Sequence, residues 1–511
     1  MTRSQDLSLV WLRPASPSFP SPTPLSSETS EWDMCSQSDF DHDAPDLERQ
    51  SDDDSDNEDS VPHHKTDQTD GSSEDLPLKL GLKYKKVKDK VRPVCKLIPE
   101  HQKTRRHFPE DPLTNLPPLP FHPPEFIPSS KITVERMADL GIDNHDELWP
   151  EERRLLQHVL LVNQRSIAFD EDERGTFRQD YFSDYIIPTV DHEPWIEKNI
   201  PLHQGNRDEL INLLKEKIKA GVYERAQTPY RSKWFYVKKK DGGLRIVHDL
   251  QKLNSVTIRD STVPPILEEF VEAYAGRSVY SVLDMYWGFH ARILDVHSRD
   301  LTAFQTPLGS FRLTSLPMGY ANSPAEFQAC MLFLLQDEMP EVAGVFVDDI
   351  PIKGPTSRYL GPDGEPETLA ENPRIRRYIW EHLNDLHHIL HRIGQAGGTV
   401  SGKKMQLCRT EVQIVGHQCS SKGREPVDDR AEKIQTWPVP RNLTEVRGFL
   451  GLCGTVRIWI KDFSKIARPL VDLTRKAIPF HWGPDQEEAF ERLKTLVSSA
   501  PALRPIDYRC G

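Results

Sequence analysis

The stretch "GVFVDDIPIKG" (residues 344–354) places two adjacent aspartates, Asp348 and Asp349, between short apolar runs. Such runs are typical of two β-strands joined by a tight turn, so the pattern predicts a hairpin with the acidic pair at its turn. A carboxylate that is buried without a partner carries a large desolvation penalty. Taken alone, this stretch is most simply interpreted as a solvated turn. Other parts of the sequence are needed to distinguish that turn from a site of buried carboxylates.

A third carboxylate ends another predicted strand. The segment "GRSVYSVLDMYWGF" (residues 276–289) is rich in β-branched and aromatic residues up to Asp284. Adjacent strands of one sheet could bring Asp284, Asp348 and Asp349 together, where like charges repel strongly unless cations lie among them. Two Mg²⁺ ions would supply that charge, so the pattern favours carboxylates that act as metal ligands.

The charge of the chain is unevenly distributed. Residues 1–75 contain 19 Asp and Glu against four Lys and Arg, a net charge of −15, and the remaining residues sum to +2. This tail is rich in Ser, Pro and Asp and is predicted to be disordered. Residues 79–128 are first basic and then proline-rich, which predicts an extended linker; the basic run is either a localisation or nucleic-acid patch or simply a solvated linker.

Several classes of protein are disfavoured by the sequence. No apolar run approaches the roughly 18 residues of a membrane span, and "LSLVWL" near the N-terminus is too short for a signal peptide, so a soluble intracellular protein is expected. Seven cysteines without a C-x-x-C pair predict reduced thiols rather than a zinc module or a disulfide framework. Four histidines at helix-compatible spacings are predicted to form an exposed helix face rather than a metal site: His382, His387, His388 and His391.

Local patterns from about Lys131 onward mix helices and strands, which indicates an α+β fold. "RDELINLLKEKIKAGVYER" has helical spacing of leucines with Gly221 as a stop, and "KWFYVKKKDGGLRIVHDL" predicts a hairpin. Further helices are expected near residues 377–395 and 444–462. The second of these has one apolar face: Val446, Phe449, Leu450, Cys453, Val456 and Ile460. Its other side carries Gly448, Gly451 and Gly454, which suggests either close approach to a nucleic-acid duplex or tight helix packing.

Six motifs follow one another as in gypsy-type LTR-retrotransposon reverse transcriptases, which the chain therefore resembles. In order they are "LRIVHDLQKLN", "SVLDMYWGFHARI", "TAFQTPLGSFRLTSLPMGYANSPAEFQ", "GVFVDDIPIKG", "SGKKMQLCRTEVQIVGHQCSSKG" and "WPVPRNLTEVRGFLG". The match runs from about residue 200 to the end, and a looser upstream segment is similar to fungal elements. The resemblance implies a right-hand polymerase with fingers, palm and thumb, an antiparallel palm sheet, and the acidic tail in front.

The resemblance also implies a division of the chain. The expected parts are a disordered tail and proline-rich linker (1–130), a helical extension (131–225), fingers and palm (226–428), thumb (429–475), and the start of a connection to ribonuclease H (476–511). Because the carboxylates of ribonuclease H do not appear, a fragment of a retroelement polyprotein is expected.

The implied function is that of an RNA-directed DNA polymerase. Its cofactors would be two Mg²⁺ ions, with Mn²⁺ as a substitute, and its partners deoxynucleoside triphosphates, an RNA or DNA template-primer and other polyprotein products. Homo-oligomerisation is left open, no membrane is expected, and the location would be a cytoplasmic virus-like particle or the nucleus. The alternative is a catalytically silent relic that only binds nucleic acid.

Site residues follow from the motifs they match. Asp284 and Asp348 resemble the principal metal ligands, Asp349 resembles the third acid, and Lys403 or Lys404 resembles the lysine that protonates pyrophosphate. The implied nucleotide-binding residues are Lys239, Arg245, Met285, Phe289 and Met318, with Phe289 as the aromatic gate that excludes a 2′-hydroxyl. The implied primer and template contacts are Val415, Gly416, His417, Gly448 and Gly451.

Three features depart from the family pattern. Phe346 stands where a tyrosine usually precedes the acidic pair, and Met318 stands where retroviral enzymes carry glutamine. Residues 354–373 have the Gly, Pro and Asp content of an exposed insertion. The acids themselves are retained, which favours the enzyme over the relic.

Overall fold

The computed structural model describes residues 94–142, 145–238, 242–475, 478–498 and 501–504. The predicted acidic tail, the basic run up to residue 93 and Lys239 lie outside the described residues. No helix within the described ranges is both long and apolar enough to cross a bilayer. The cysteines in these ranges are all free thiols, and four of the five are buried.

Helices and short, mostly antiparallel sheets alternate along the described chain, which confirms the α+β class. The helices are α1 (Val134–Asp139), α2 (Pro150–Val162), α3 (Arg207–Lys219), α4 (Gln251–Val256), α5 (Leu267–Glu272), α6 (Gly288–Ala291), α7 (Ser323–Leu334), α8 (Arg377–Gln395), α9 (Asp428–Gln435), α10 (Leu443–Gly454), α11 (Phe463–Asp472) and α12 (Pro484–Ser498). The strands are β1 (Ile167–Ala168), β2 (Tyr223–Arg225), β3 (Trp234–Lys238), β4 (Leu244–His248), β5 (Tyr280–Asp284), β6 (Phe304–Thr306), β7 (Gly309–Leu313), β8 (Asp349–Lys353), β9 (Val400–Ser401), β10 (Gln406–Arg409), β11 (Glu411–Ile414), β12 (His417–Ser420) and β13 (Gly423–Pro426).

The central sheet has the order β10-β5-β8, and both pairings are antiparallel. Its middle strand β5 is buried along its length up to Asp284, which is only partly buried. A large apolar core under this sheet includes α2, α7 and α8. The predicted strand that ends at Asp284 is therefore confirmed, and it carries that carboxylate to the edge of the core.

A second apolar cluster holds the segment that contains the β3–β4 hairpin. Trp234 of β3 packs with Phe304 and Phe311 of the β2-β7-β6 sheet and with Leu214 of α3. The hairpin strands pair antiparallel, with Val237 opposite Arg245. The predicted hairpin and the predicted helix before it are both confirmed.

The C-terminal helices α9, α10, α11 and α12 share a separate core. The predicted apolar face of the first long helix here is largely buried, but the helix ends at Gly454 rather than at residue 462. A 3-10 turn, Arg457–Trp459, follows. The extension to residue 462 was wrong because Gly454 and the β-branched Thr455 and Val456 disfavour helix continuation.

The histidine-bearing helix α8 corrects another expectation. Its bounds match the predicted 377–395, but His382 and His387 are buried rather than exposed. The His382 ring lies 2.8 Å from Ser281 Oγ of β5, and His387 lies between Asn163 and the Pro117 carbonyl. The helix is covered on two sides, so the exposed face was wrong for these two residues.

Residues 94–130 are not the extended linker that their composition predicted. Phe108 stacks on Phe333 of α7 with ring centroids 4.4 Å apart, and Phe121 stacks on Trp380 of α8 at 4.9 Å. Arg106 forms a 2.6 Å ion pair with the buried Glu326. This segment is called the N-terminal strap below; its few aromatic and basic residues anchor it although prolines separate them.

Candidate active site

The acidic pair lies in a tight hairpin, but its two members occupy different positions. Phe346 and Asp349 exchange backbone hydrogen bonds of 2.9 and 2.8 Å, and Val347 and Asp348 form the turn between them. Val347 has a φ of 60°, a left-handed conformation that is costly for a β-branched residue. Only Asp348 is at the turn, as expected; Asp349 is the first residue of β8.

Strand pairing brings the third acid to the same place. Asp284, the last residue of β5, is the direct cross-strand partner of Asp349. The Met285 amide donates a 3.0 Å hydrogen bond to the Asp348 carbonyl, which fixes the turn against the end of β5. The structure therefore brings together the three carboxylates that the sequence singled out.

The electrostatics of the cluster reflect this crowding. Burial raises the pKa of Asp349 to about 6, with further contributions from Asp348 and Asp284 and an opposing one from Lys404. Burial also raises the pKa of Asp284, against the opposing effect of the Lys404 ammonium. Clusters of partly buried acids with raised pKa values are frequent in functional sites.

The two candidate lysines have different partners. Lys404 Nζ donates to both carboxylate oxygens of Asp284, at 3.1 and 3.2 Å. Lys403 Nζ instead lies 3.3 Å from Asp170, a residue outside the cluster. Spacing alone could not choose between the lysines, and in this structure only Lys404 touches the acids.

The donor set suits a hard divalent cation, since all three side chains offer carboxylate oxygens. Within the described ranges, however, no group of three His, Cys, Asp or Glu side chains is arranged to hold a metal ion. Asp284 faces Lys404, a cation that occupies one side of the cluster. The residues fit Mg²⁺ by chemistry, and their side chains would have to turn to bind it.

Four of the five candidate nucleotide-binding residues, all but Lys239, lie within the described part of the chain. The Arg245 guanidinium donates a 2.9 Å hydrogen bond to Met318 Sδ, so these two exposed residues are in contact. Met285 is buried under the sheet, and Phe289 on α6 is partly buried with its ring 5.6 Å from that of Phe327.

The candidate primer hairpin is a two-residue turn. Val415 and Gly416 connect β11 and β12 with φ values of 44° and 81°, the pair of positive angles found in tight hairpins. A Cβ on Gly416 would collide with the Arg430 guanidinium of α9. His417 is buried with its ring 5.0 Å from Trp459, so it packs inside rather than facing outward.

The helix α10 carries the candidate glycines. A Cβ added at Gly451 or Gly454 would meet nothing within 4 Å, whereas one at Gly448 would lie 3.2 Å from Trp437. Tight helix packing therefore does not explain Gly451 and Gly454. Their surface is open along one side of the helix.

Sequence reasoning missed the residues that surround the loop after Asp284. Lys217 Nζ lies 3.4 Å from the centroid of the Trp287 ring, and Glu171 accepts a 3.2 Å hydrogen bond from Lys217. Trp287 stood inside a recognised motif, but nothing in the local pattern of α3 distinguishes Lys217 from its other lysines.

Comparisons with known proteins agree with this geometry. The family model for reverse transcriptase (RNA-dependent DNA polymerase) matches residues 237–419, the range that holds the three acids. The Pol polyproteins of the Drosophila melanogaster transposons 297 and gypsy are each 28% identical, over 75% and 62% of this chain. The chain spans only 35% and 30% of their lengths.

Solved structures share the fold. The foamy viral protease-reverse transcriptase, in complex with double-stranded DNA, matches 75% of this chain and 63% of its own with a TM-score of 0.63 and 24% identity. A second structure, the foamy viral protease-reverse transcriptase in complex with an RNA/DNA hybrid, matches 75% of this chain and 48% of its own, with a TM-score of 0.60 and 23% identity.

Proposed function

We propose, from the confirmed resemblance of this chain to gypsy-type LTR-retrotransposon reverse transcriptases, that it is an RNA-directed DNA polymerase. It would transfer nucleotidyl groups from deoxynucleoside triphosphates to the 3′-hydroxyl of a primer on an RNA or DNA template. One observation carries the proposal: within the range that matches the family, strand register sets Asp284 opposite Asp349, with Asp348 in the adjoining turn.

Asp284, Asp348 and Asp349 would hold two Mg²⁺ ions, and Mn²⁺ could replace them. Bound metal would supply activation of the attacking hydroxyl and charge stabilisation for the leaving pyrophosphate. The raised pKa values of Asp284 and Asp349 support this assignment, because they identify carboxylates whose ionisation needs a compensating cation.

Lys404 is the proposed proton donor to the leaving pyrophosphate. Its ammonium is held at Asp284, whereas Lys403 pairs with Asp170 and is assigned no chemical role. Proton transfer requires a group within hydrogen-bond reach of the reacting atoms, which favours the lysine that contacts the acids.

The incoming nucleotide would lie between the β3–β4 hairpin and the end of β5. Lys239 and Arg245 would bind the triphosphate, since ammonium and guanidinium groups both suit an oxyanion. The backbone of residues 285–288 would approach the phosphates, Phe289 would lie beneath the sugar, and Met318 would contact nucleotide or template. Exposure of Arg245 and Met318 supports these roles.

The primer end would bind at the Val415-Gly416 turn, next to His417, and the duplex would run along the open side of α10. Gly451 allows close approach there, because no side chain covers its Cα. The corresponding nucleic acids are named for the foamy viral neighbour, with double-stranded DNA in one structure and an RNA/DNA hybrid in another.

We assign fingers and palm to residues 226–428 and the thumb to 429–475. The extension 131–225 and the fingers share one apolar cluster, in which Tyr223 packs near Phe304. Residues 476–511 are proposed as the start of the connection, and α12 of this part packs on α9 and α11. The boundaries at 225/226 and 475/476 therefore cross packed interfaces.

Primer extension on poly(rA)/oligo(dT) tests the proposal with the full chain and Mg²⁺. Incorporation of dTTP that requires both template and metal would support it. Binding of the template-primer without any extension, with Mn²⁺ as well as Mg²⁺, would instead establish the silent relic. The variant Asp284→Asn serves as the control for contaminating polymerase.

A further inference from the structure

The loop that follows Asp284 lies between two apolar cores. Met285 and Phe289 pack against the large core under the central sheet, whereas Trp287, between them in sequence, packs with the cluster around Trp234 and Phe304. Trp287 has φ 51° and ψ 46°, a left-handed conformation. Such a conformation is unfavourable for a non-glycine residue, so contacts of its side chain have to maintain it.

Cations from the upstream part of the chain contact this side chain. Lys217 on α3 places its ammonium 3.4 Å from the ring centroid of Trp287, well within the range of a cation–π interaction. The Arg174 guanidinium lies over the same ring at 6.0 Å. Glu171 accepts a 3.2 Å hydrogen bond from Lys217 and holds the ammonium in place.

The Arg174 guanidinium forms few hydrogen bonds in the described part of the chain. Its Nη2 donates to the Ala220 carbonyl at 3.2 Å, while Nε and Nη1 are buried without a hydrogen-bond partner there. The face of a guanidinium can be used in a contact with an aromatic ring, a contact that leaves the in-plane N–H donors unpaired. The ring of Trp287 offers that use, so both cations converge on one residue of the loop.

The loop backbone is fixed from its other side by hydrogen bonds. The Met285 amide donates to the Asp348 carbonyl at 3.0 Å and the Tyr286 amide to the Thr399 carbonyl at 2.9 Å. A Cβ on Gly288 would lie 2.7 Å from Phe327 Cζ, so this part of the loop has no freedom to move inward. Trp287 is therefore the point where the outer side of the loop is held.

We propose that Lys217 is a positioning residue for nucleotide binding: with Arg174 it clamps the Trp287 ring and thereby fixes residues 285–288 in the conformation that receives the triphosphate. This inference rests on the proposed function of the site. The clamp joins α3 and the segment around Glu171 to the catalytic loop, so nucleotide affinity depends on a helix that contributes no catalytic group.

The test compares three variants in the full chain. Lys217→Met removes the charge and keeps the length, Lys217→Arg keeps a cation that can lie over the ring, and Lys215→Met makes the same change at an exposed position of the same helix. Affinity for the nucleotide is measured on a dideoxy-terminated primer, where no bond is made. Lys217→Met should weaken dNTP binding roughly 5- to 30-fold, with primer-template affinity unchanged and the other two variants within about threefold of wild type.

A second measurement does not depend on activity. Hydrogen exchange of the backbone amides of residues 285–290 should speed up in Lys217→Met and stay as in wild type in Lys215→Met. Unchanged exchange together with unchanged dNTP affinity would overturn the clamp. A general loss of protection with equal effects on KM and kcat would also overturn it, since that outcome describes a merely structural lysine.

Should Lys217→Met fail to fold, Trp287→Leu supplies the same comparison, because leucine keeps an apolar contact and loses the ring. Wild-type protein that binds no dNTP would refute the proposed function, while the exchange measurement would still decide on the clamp.

Discussion

Asp284 and Asp349 are direct partners across the β5–β8 pairing, so the antiparallel register alone sets two acids side by side at the end of the central sheet. A carboxylate pair at such a position destabilises the fold unless a cation compensates it. Lys404 provides part of that compensation at Asp284. This arrangement is expected of a site that binds cations, whereas it does not stabilise the fold by itself.

Asp284→Asn is expected to abolish primer extension while primer-template affinity stays within a few fold of wild type. The amide weakens metal binding, whereas affinity for nucleic acid comes mainly from phosphate contacts elsewhere. Extension assays and filter binding measure the two quantities, and Asp485→Asn at an exposed position of α12 is the control. Near wild-type extension by the Asp284 variant would remove this residue from the metal assignment.

Lys404→Met should lower kcat by roughly 100- to 10,000-fold, which is the usual contribution of a positioned acid. Lys403→Met should stay within about threefold, because its partner Asp170 lies outside the acid cluster. Single-turnover extension at saturating dNTP measures the difference, and a smaller solvent deuterium isotope effect in Lys404→Met would identify proton transfer. Equal effects of the two substitutions would show that the structure does not discriminate the lysines.

Glu326 carries the electrostatic connection between the N-terminal strap and the core. It pairs with Arg292 at 2.8 Å, where both side chains are 2% exposed, and with Arg106 of the strap at 2.6 Å. Glu326→Gln leaves a buried guanidinium without its counter-charge and should cost about 3–5 kcal/mol in unfolding free energy. Arg106→Met leaves the Arg292 pair intact and should cost distinctly less. Urea denaturation measures both, and a larger loss in the Arg106 variant would contradict this ranking.

The buried histidine His387 predicts a loss of stability in acid. Burial lowers its pKa to about 4, and the neighbouring histidines contribute in the same direction. Between pH 6.5 and about 4 the unfolded chain therefore binds more protons than the folded one, so stability falls as the pH falls through this window. The stability is fully present above pH 6.5, and the single group costs about 2 kcal/mol at pH 5.

The variant His387→Gln isolates this contribution, because glutamine stays neutral at both ends of the window. The difference in unfolding free energy between pH 7.5 and pH 5 should shrink by about 2 kcal/mol relative to wild type. His122→Gln, at an exposed position, is the matched control. An identical pH dependence in the His387 variant would show that the pKa of this histidine does not differ between the folded and unfolded states.

Local patterns predicted the parts of this site that lie on single elements. The strand that ends at Asp284, the hairpin of β3 and β4 and the helix α8 each follow from their own residues, and the structure has all three. Partners far apart in sequence were not predictable. His382 is buried with its ring hydrogen-bonded to Ser281, which lies 101 positions away in the sequence. The periodicity of α8 alone could not predict this partner.

The same limit explains the lysines and the strap. The adjacent Lys403 and Lys404 differ only in what stands opposite them, namely Asp170 and Asp284. The strap has the proline content of a linker, yet Arg106 and Phe108 find Glu326 and Phe333 on α7. Composition gives the average tendency of a segment, whereas one ion pair and a few ring contacts determine where it packs.

Sugar selection at Phe289 is the sharpest test of the nucleotide site. Phe289 lies on α6, five positions after Asp284 in the sequence. Its ring is only partly buried and contacts the ring of Phe327. If the ring lies beneath the incoming sugar, Phe289→Val removes the atoms that would collide with a 2′-hydroxyl and leaves the carboxylates in place. Relief of such a clash should raise relative ribonucleotide use by roughly 10- to 1,000-fold.

The measurement is the ratio of kcat/KM for dCTP and CTP in wild type and variant, a pair that avoids the methyl group of thymine. The kcat/KM for dCTP should fall by a smaller factor than the ratio changes, because dCTP has no 2′-hydroxyl to collide with the ring. Phe327→Leu is the matched control, since it loosens the same ring contact from the buried side without altering the surface that would face the sugar. An unchanged ratio in a folded and active Phe289 variant would make this residue part of the core only, and the preference for deoxynucleotides would then have to come from another group around residues 285–288.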